Sequence, residues 1–297
     1  MSTQAVMVVG AGLMGTGIAH AFLVGGCDVQ LVDPQQQALD RAVGVIGRTL
    51  EEGQQRGKIS AADADAARSR LRSSVSVEAL ESGIALVVET ALEDLSVKQG
   101  ILRNVEPLLD DQAVFATNTS ALSITEIAAA AKRPQRVIGM HFFNPVPKMK
   151  LVEIVRGLET DDTTLQQAQA WTERIGKTSI VVNEAPGFTT SRISALLGNE
   201  AMTMLHEGVA SAEDIDTSLR MAFNHPMGPL ELGDLTGWDT RLKVLQYLHQ
   251  TLGEKFRPCP LIIKMVKAGR TGRKSGKGVY EYDAQGQRIP GSGIKAR

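Results

Sequence analysis

The stretch AVMVVGAGLMGTGIAHAFLVGGCDVQLVD, residues 5–33, decides the fold of the first half of this chain. It opens with the apolar run Ala5–Val9, passes through the glycine motif GAGLMG at residues 10–15, and continues with a helical pattern. A second apolar run over residues 29–32 ends at Asp33. Strand, glycine loop, helix and strand in this order predict a parallel β-α-β unit.

Each glycine of the loop has a specific predicted purpose. Gly10 suits a tight turn, Gly12 lets the backbone approach a pyrophosphate, and Gly15 lets the helix pack close to the strand. The N-terminus of that helix offers free N–H groups to phosphates. Asp33 can accept hydrogen bonds from the ribose hydroxyls of NAD and would repel the 2′-phosphate of NADP, and residues 34–37 contain no arginine. The pattern predicts NAD; the alternative is a glycine-rich turn that binds nothing.

Composition excludes several other classes of protein. The 297 residues are enough for two domains, and a net charge of −1 gives no attraction to nucleic acid or to an acidic membrane surface. Cys27 and Cys259 lie in no CxxC or Cys/His cluster, so we expect neither a disulfide framework nor a metal site. The sequence contains no signal-type segment and no apolar run long enough to span a membrane, which favours a cytoplasmic protein.

The chain after Asp33 alternates between predicted strands and helices. A charged, alanine-rich segment over residues 35–72, broken near Gly57, predicts a helical hairpin. Strands are predicted at residues 82–88, 113–117, 136–142, 151–155 and 179–182, and helices at residues 95–109 and 124–131. This alternation predicts a Rossmann-like, doubly wound and mainly parallel sheet.

The character of the sequence changes at residues 185–188, where Ala-Pro-Gly-Phe interrupts the alternation. Beyond this point apolar residues recur at helical spacing, with further helices expected near residues 230–252 and 261–268. We therefore predict a dinucleotide-binding domain over residues 1–185 and an all-helical domain over residues 186–297.

Three side chains at or near predicted strand ends are candidates for chemistry, because ligands of such sheets bind there. Ser120 follows one strand in an Asn-Thr-Ser turn, and His141 ends another. Glu153 interrupts the apolar run Leu-Val-Glu-Ile-Val, where a buried carboxylate is costly unless it is paired. His141 is the nearest titratable candidate. A His–Glu pair would fix the imidazole tautomer and act as a general base beside a nicotinamide.

Simpler interpretations of the same residues remain open at this stage. Ser120 is also an ordinary turn residue, and a histidine at a strand end is often structural. Glu153 is also consistent with an edge strand that turns this side chain to water.

Seven sequence blocks together resemble the L-3-hydroxyacyl-CoA dehydrogenase family, and within it the short bacterial 3-hydroxybutyryl-CoA dehydrogenase type. They extend over nearly the whole chain, and HFFNPVP is the most specific of them. The blocks are GAGLMG (residues 10–15), NTS (118–120), HFFNPVP (141–147), LVE (151–153), PGF (186–188), NHPMGP (224–229) and GKGVY (276–280).

The resemblance implies the NAD-dependent oxidation of an (S)-3-hydroxyacyl-CoA to the 3-ketoacyl-CoA, and the reverse reaction. It implies that His141 is the base, that Glu153 is its partner, and that Ser120 bonds the 3-oxygen of the substrate. The expected NAD contacts are Gly10, Gly12, Leu13, Met14, Gly15 and Asp33 in the nucleotide unit, with Glu93, Lys98, Ser120, Asn144 and Lys274 added by the resemblance.

The resemblance also implies positions for coenzyme A and for a partner subunit. Thr49 and Arg56 stand where the family has a serine and a lysine, so a hydroxyl and a cation are retained. Ser191 stands where the family usually has an asparagine that completes the substrate-oxygen site; serine can still donate one hydrogen bond. The helical domain forms the dimer interface in this family, so a homodimer is implied.

Two other functions compete with this one. The first is an NAD-dependent dehydrogenase of a free hydroxy acid, such as a sugar acid, for which the same pair would serve. The second is a non-catalytic NAD-binding protein whose site is degraded at Ser191. Separately, Arg56 is also consistent with a solvated charge on a helix.

Overall fold

The structure is a computed structural model that describes residues 5–77 and 83–295. The chain divides into two compact units, Met1–Ala185 and Pro186–Arg297. Ser82, with which one predicted strand begins, lies outside the described residues. Among the described helices, none is long and apolar enough to cross a membrane.

The first unit is built around one sheet. Its strands are β1 (Ala5–Val9), β2 (Asp28–Val32), β3 (Leu71–Ser74), β4 (Ile84–Glu89), β5 (Val114–Thr117), β6 (Val137–Phe142), β7 (Leu151–Arg156) and β8 (Thr178–Asn183). Their order across the sheet is β3-β2-β1-β4-β5-β6-β7-β8. Neighbouring strands are parallel except β6 and β7, which pair antiparallel. The strand order reverses direction at β1, and the crevice at that point is where such sheets bind nucleotides.

Helices cover the sheet, which explains why its central strands are apolar along their whole length. The helices of this unit are α1 (Leu13–Val24), α2 (Gln36–Gln55), α3 (Ala61–Ser69), α4 (Leu95–Val105), α5 (Ile124–Ala128) and α6 (Asp162–Arg174). Helix α1 packs on β1 and β2, and α6 packs on β6, β7 and β8. Phe22 and Trp171 meet edge to face in the resulting core, with ring centroids 6.1 Å apart.

Two features of the first unit differ from the sequence-based prediction. The helical insertion predicted over residues 35–72 forms α2 and α3, but residues 71 and 72 belong to the edge strand β3. The sequence of β3, LRSS, has no apolar run and therefore gives no strand pattern. Helix α6 was not predicted, because two of the four residues that it buries are threonines, which weaken its apolar periodicity: Thr164, Ala168, Trp171 and Thr172.

The second unit consists of helices packed around its own core. They are α7 (Thr190–His206), α8 (Ala212–Phe223), α9 (Pro229–Thr236), α10 (Trp238–Leu252) and α11 (Pro260–Lys267). The segment predicted as helical over residues 230–252 is divided at Gly237, whose φ of 95° no right-handed helix accommodates. Trp238 and Tyr280 are fully buried in the core. The predicted fold class, a mainly parallel Rossmann-like sheet followed by a helical region, is confirmed.

Candidate active site

The glycine loop joins β1 to α1 and leaves room beside its backbone. Gly10 adopts a φ of 106°, in the region that favours glycine. A Cβ at Gly15 would lie 1.8 Å from the carbonyl oxygen of Gly10, whereas a Cβ at Gly12 would meet nothing within 4 Å. Leu13 is exposed, and Met14 packs against the core. The loop therefore has one face closed by protein and one open at Gly12, as a bound pyrophosphate requires.

Asp33 directly follows β2 and is bonded to the glycine loop. Its Oδ2 accepts the N–H of Ala11 at 2.8 Å, and its Oδ1 accepts the N–H of Gln35 at 2.9 Å. A carboxylate has roughly four lone-pair sites, so acceptor capacity remains for ribose hydroxyls. These residues fit the adenosine half of NAD, which supplies a hydride acceptor when it is bound.

Replacing Gly12 and Gly15 with alanine, one at a time, will distinguish effects on stability from effects on cofactor binding. Gly15→Ala must displace the backbone of Gly10, so we expect it to lower the free energy of unfolding by about 1–3 kcal/mol and to weaken NADH binding as well. Gly12→Ala is expected to melt like the wild type but to bind NADH at least about tenfold more weakly, because its methyl group occupies the open face. Thermal unfolding and fluorescence titration measure the two effects. Equal melting temperatures for the two variants would contradict this account.

His141 and Glu153 form a buried pair across the antiparallel strands β6 and β7. The register places these two residues opposite each other, and Nδ1 of the imidazole lies 2.7 Å from Oε2 of the carboxylate. Glu153 has no exposed surface, and His141 is 6% exposed. Because β8 pairs with the outer side of β7, the alternative of an edge strand that turns Glu153 to water is wrong.

Ser120 lies just beyond β5, the strand next to β6. The loop that carries it is bonded to β6, because Oδ1 of Asn118 accepts the N–H of Phe142 at 2.9 Å. The structure therefore places the exposed Ser120 and the buried His141 at the carboxyl ends of adjacent strands, as the sequence predicts.

Glu93 and Lys98 contribute to the loop that carries Ser120 in different ways. Glu93 is partly exposed and accepts the N–H of Ser120 at 2.9 Å. Lys98 has no exposed surface, and its ammonium pairs with the buried carboxylate of Glu89 at 3.0 Å. Glu89 was not predicted from the sequence, although a carboxylate at the end of the apolar run Ile-Ala-Leu-Val-Val is the same signal that identified Glu153.

A cavity of about 460 Å³ lies beside the glycine loop in the first unit. It is lined by loop residues, by α1 and α2, and by residues 144–147. Among the predicted site residues it brings together Gly12, Leu13, Thr49 and Asn144. The cavity is thus mostly apolar and lies next to the predicted cofactor loop.

The two positions assigned to coenzyme A differ in their surroundings. Thr49 lines the cavity, and its hydroxyl donates to the carbonyl oxygen of Val45 at 2.9 Å, which leaves its own oxygen able to accept. Arg56 is not part of that lining; it follows α2 as an exposed residue and lies 3.8 Å from Glu52. Thr49 thus lies at the cavity, and Arg56 lies outside its lining.

Two further predicted site residues belong to the second unit. Ser191 lies in the first turn of α7 and is half-buried. Lys274 follows α11 and donates to Oδ2 of Asp239 at 2.7 Å. Burial opposes ionisation of that carboxyl, but the hydrogen bond and the charge of the lysine prevail and lower the pKa of Asp239. Both side chains therefore have defined local positions within their own unit.

Comparison with known proteins identifies the family. Residues 5–185 match the model of the 3-hydroxyacyl-CoA dehydrogenase NAD-binding domain, and residues 187–282 match that of the C-terminal domain. The chain belongs to the 3-hydroxyacyl-CoA dehydrogenase family and is an NAD-dependent oxidoreductase. The family and the cofactor predicted from the sequence motifs are thereby confirmed.

The similar proteins include short bacterial enzymes of about the same length. A probable 3-hydroxybutyryl-CoA dehydrogenase of Bacillus subtilis is 41% identical over 284 residues, which cover 95% of this chain and 99% of that protein. A 3-hydroxybutyryl-CoA dehydrogenase of Bradyrhizobium diazoefficiens is 41% identical over 276 residues, 93% of this chain and 94% of that one. The crystal structure of (S)-3-hydroxybutyryl-CoA dehydrogenase from Ralstonia eutropha superposes with a TM-score of 0.91 at 42% identity, covering 95% of this chain and all of that chain.

Proposed function

We propose that this protein oxidises (S)-3-hydroxyacyl-CoA to 3-ketoacyl-CoA with NAD, and catalyses the reverse reduction. The observation that carries the proposal is the buried His141–Glu153 contact of 2.7 Å, because a histidine held by a carboxylate at a strand end is equipped to move the proton of an alcohol. The names of the similar bacterial proteins, several of which are 3-hydroxybutyryl-CoA dehydrogenases, support the substrate class.

The proton chemistry follows from the contact between the two side chains. A carboxylate only accepts hydrogen bonds, so Glu153 holds the imidazole proton of His141 on Nδ1. Nε2 then carries the lone pair that takes the hydroxyl proton of the substrate as hydride leaves C3. Glu153 stabilises the imidazolium that results, and in the reverse direction His141 returns the proton to the 3-oxygen.

Hydrogen-bond donors position the substrate in this proposal. The hydroxyl of Ser120, exposed at the end of β5, donates to the 3-oxygen of the substrate. Ser191, in the second unit, is proposed as a further donor on the strength of the resemblance alone. Thr49 is proposed to contact coenzyme A through the cavity that it lines.

Reduction of acetoacetyl-CoA tests the proposed function. We expect purified protein to consume NADH with this substrate, and to use NADPH at least about 100-fold less efficiently, because Asp33 would face the 2′-phosphate and like charges placed together cost several kcal/mol. The measurement is kcat/KM from the loss of NADH absorbance. Turnover of free acetoacetate with no gain from coenzyme A would favour the hydroxy-acid alternative, and NADH binding without any turnover would favour a non-catalytic protein.

We also propose that the protein is a homodimer formed through its second unit. Large apolar side chains are exposed there, and exposed apolar surface of this kind marks interfaces. The most exposed of them are Ile193, Val209, Met221 and Phe223. Light scattering at micromolar concentration is expected to give twice the chain mass of 31.8 kDa, and a value equal to one chain would contradict the proposal.

A further inference from the structure

A buried ion pair lies beneath the ends of β4 and β5. Glu89 is the last residue of β4, and Lys98 lies on α4; both side chains have no exposed surface. The lysine Nζ is 3.0 Å from each oxygen of the carboxylate. The same two oxygens accept the hydroxyl of Thr117 and the N–H of Ala91, each at 2.6 Å. The carboxylate is therefore fully engaged by neighbouring elements.

The pair extends to the loop that carries Ser120. Nζ of Lys98 also lies 3.5 Å from Oε2 of Glu93, and Oε1 of Glu93 accepts the N–H of Ser120 at 2.9 Å and the hydroxyl of Thr119 at 2.6 Å. The oxygen of Thr119 in turn accepts the N–H of Leu122 at 2.9 Å. A continuous set of charge-assisted contacts thus runs from the buried carboxylate at the end of β4 to the backbone of Ser120.

We propose that Glu89 and Lys98 are positioning residues that hold Ser120 in place through Glu93. The importance of Ser120 to the reaction rests on the proposed function. The side chain of Glu93 is 43% exposed, and without Lys98 its carboxylate would be held through Oε1 alone, by Thr119 and Ser120. Lys98 fixes one of its oxygens from below and leaves the other to hold the peptide. Lys98, itself fully buried, reaches the loop that carries Ser120 through its contact with Glu93.

The energetic cost of burying Glu89 and Lys98 indicates a role beyond stability. Removing two charges from water costs several kcal/mol for each ion, and well-packed apolar replacements are often at least as stable as a buried ion pair. The geometry here uses the cation of Lys98 twice, for Glu89 and for Glu93. The contact with Glu93 is the one that connects Lys98 to the loop that carries Ser120.

The test replaces both buried charges together. The double variant Glu89→Gln/Lys98→Met leaves no unpaired buried charge, and the introduced glutamine amide retains an acceptor for Thr117. We expect the amide hydrogen of Ser120 to exchange roughly 10-fold to 100-fold faster, as loss of a hydrogen bond to a charged group implies. We expect kcat for acetoacetyl-CoA to fall by a similar factor with KM little changed. Arg103→Met, an exposed charge removal on the same helix, is the matched control.

A double-mutant cycle separates positioning from general stability. Ser120→Ala should cost much less in the Glu89→Gln/Lys98→Met background than in the wild type, because the hydroxyl is already misplaced there. Glu93→Gln, at a partly exposed position, provides a second variant that retains an acceptor for Ser120 but loses its attraction to Lys98. It should show the same changes on a smaller scale.

Either of two results overturns the proposal: unchanged exchange of the Ser120 amide in folded variants, or losses of kcat that add to that of Ser120→Ala. If the double variant fails to fold, the amide exchange of Glu93→Gln decides. If the wild type turns over no acyl-CoA, the proposed function fails, while the exchange measurement still decides whether Lys98 and Glu89 hold Ser120.

Discussion

Replacing His141 with glutamine will reduce kcat for acetoacetyl-CoA reduction by about 10²–10⁴-fold, the usual loss when a positioned general acid or base is removed. Glutamine is the informative replacement because its amide N–H can still donate to Glu153. Alanine would leave that carboxylate buried without its imidazole partner, which destabilises a protein by about 3–5 kcal/mol. NADH affinity should be nearly unchanged, since Asp33 and the glycine loop are untouched.

Glu153→Gln supplies the companion measurement. The amide preserves the size of the side chain but removes the charge that stabilises the imidazolium and fixes the proton on Nδ1, so we expect a loss of the same order. His206→Gln, which alters an exposed histidine of α7, is the matched control. Wild-type kcat in folded His141→Gln would refute the assigned base, and melting curves for each variant establish that the protein is folded.

Replacing Asp234 with alanine will lower the free energy of unfolding of the second unit by about 3–5 kcal/mol, because several buried hydrogen-bond donors lose their acceptor at once. Asp234 lies on α9 and is 1% exposed. Its Oδ1 accepts the indole N–H of Trp238 at 2.7 Å and the N–H of Val279 at 2.8 Å. Its Oδ2 accepts the N–H of Tyr280 at 2.9 Å and the hydroxyl of Tyr282 at 3.0 Å. Alanine leaves all four donors without this acceptor.

The two tryptophans allow the loss of stability in Asp234→Ala to be assigned to one of the two units. Trp238 belongs to the second unit and Trp171 to the first, so urea unfolding followed in a Trp171→Phe background reports the second unit alone. Burial raises the pKa of Asp234, and the four hydrogen bonds that its carboxyl accepts oppose that rise. Glu207→Ala removes an exposed carboxylate from the same unit as a control. An unfolding midpoint for Asp234→Ala equal to that of the control would contradict the prediction.

The sequence predicted those parts of the molecule that are determined by residues close to one another along the chain. The nucleotide loop and Asp33 follow from one β-α-β unit, and the contact between His141 and Glu153 follows from the cost of a carboxylate within an apolar strand. Strand β3 gave no signal, because its pairing with β2 is imposed by tertiary structure on a polar sequence.

The network behind Ser120 could not be assembled from the sequence for a related reason. Its members come from β4, the loop after β4, α4, β5 and the loop after β5, and only the folded sheet brings them together. The cost of a carboxylate within an apolar strand, which identified Glu153, applies equally to Glu89. Its partner Lys98, however, lies on a helix, and the sequence does not show that this lysine is buried. Arg56 is exposed at the end of α2, and the sequence around it offers no motif that would anchor coenzyme A there.

Because β7 pairs antiparallel with β6, His141 and Glu153 lie within one short segment of the chain. In a parallel sheet, an acid and a base on neighbouring strands are separated by a crossover of a dozen residues or more, usually a helix. Here a single hairpin, residues 137–156, contains both partners, 12 positions apart. Exchanging this hairpin between relatives would therefore transfer His141 and Glu153 together, and would leave Asp33 unchanged in its separate segment.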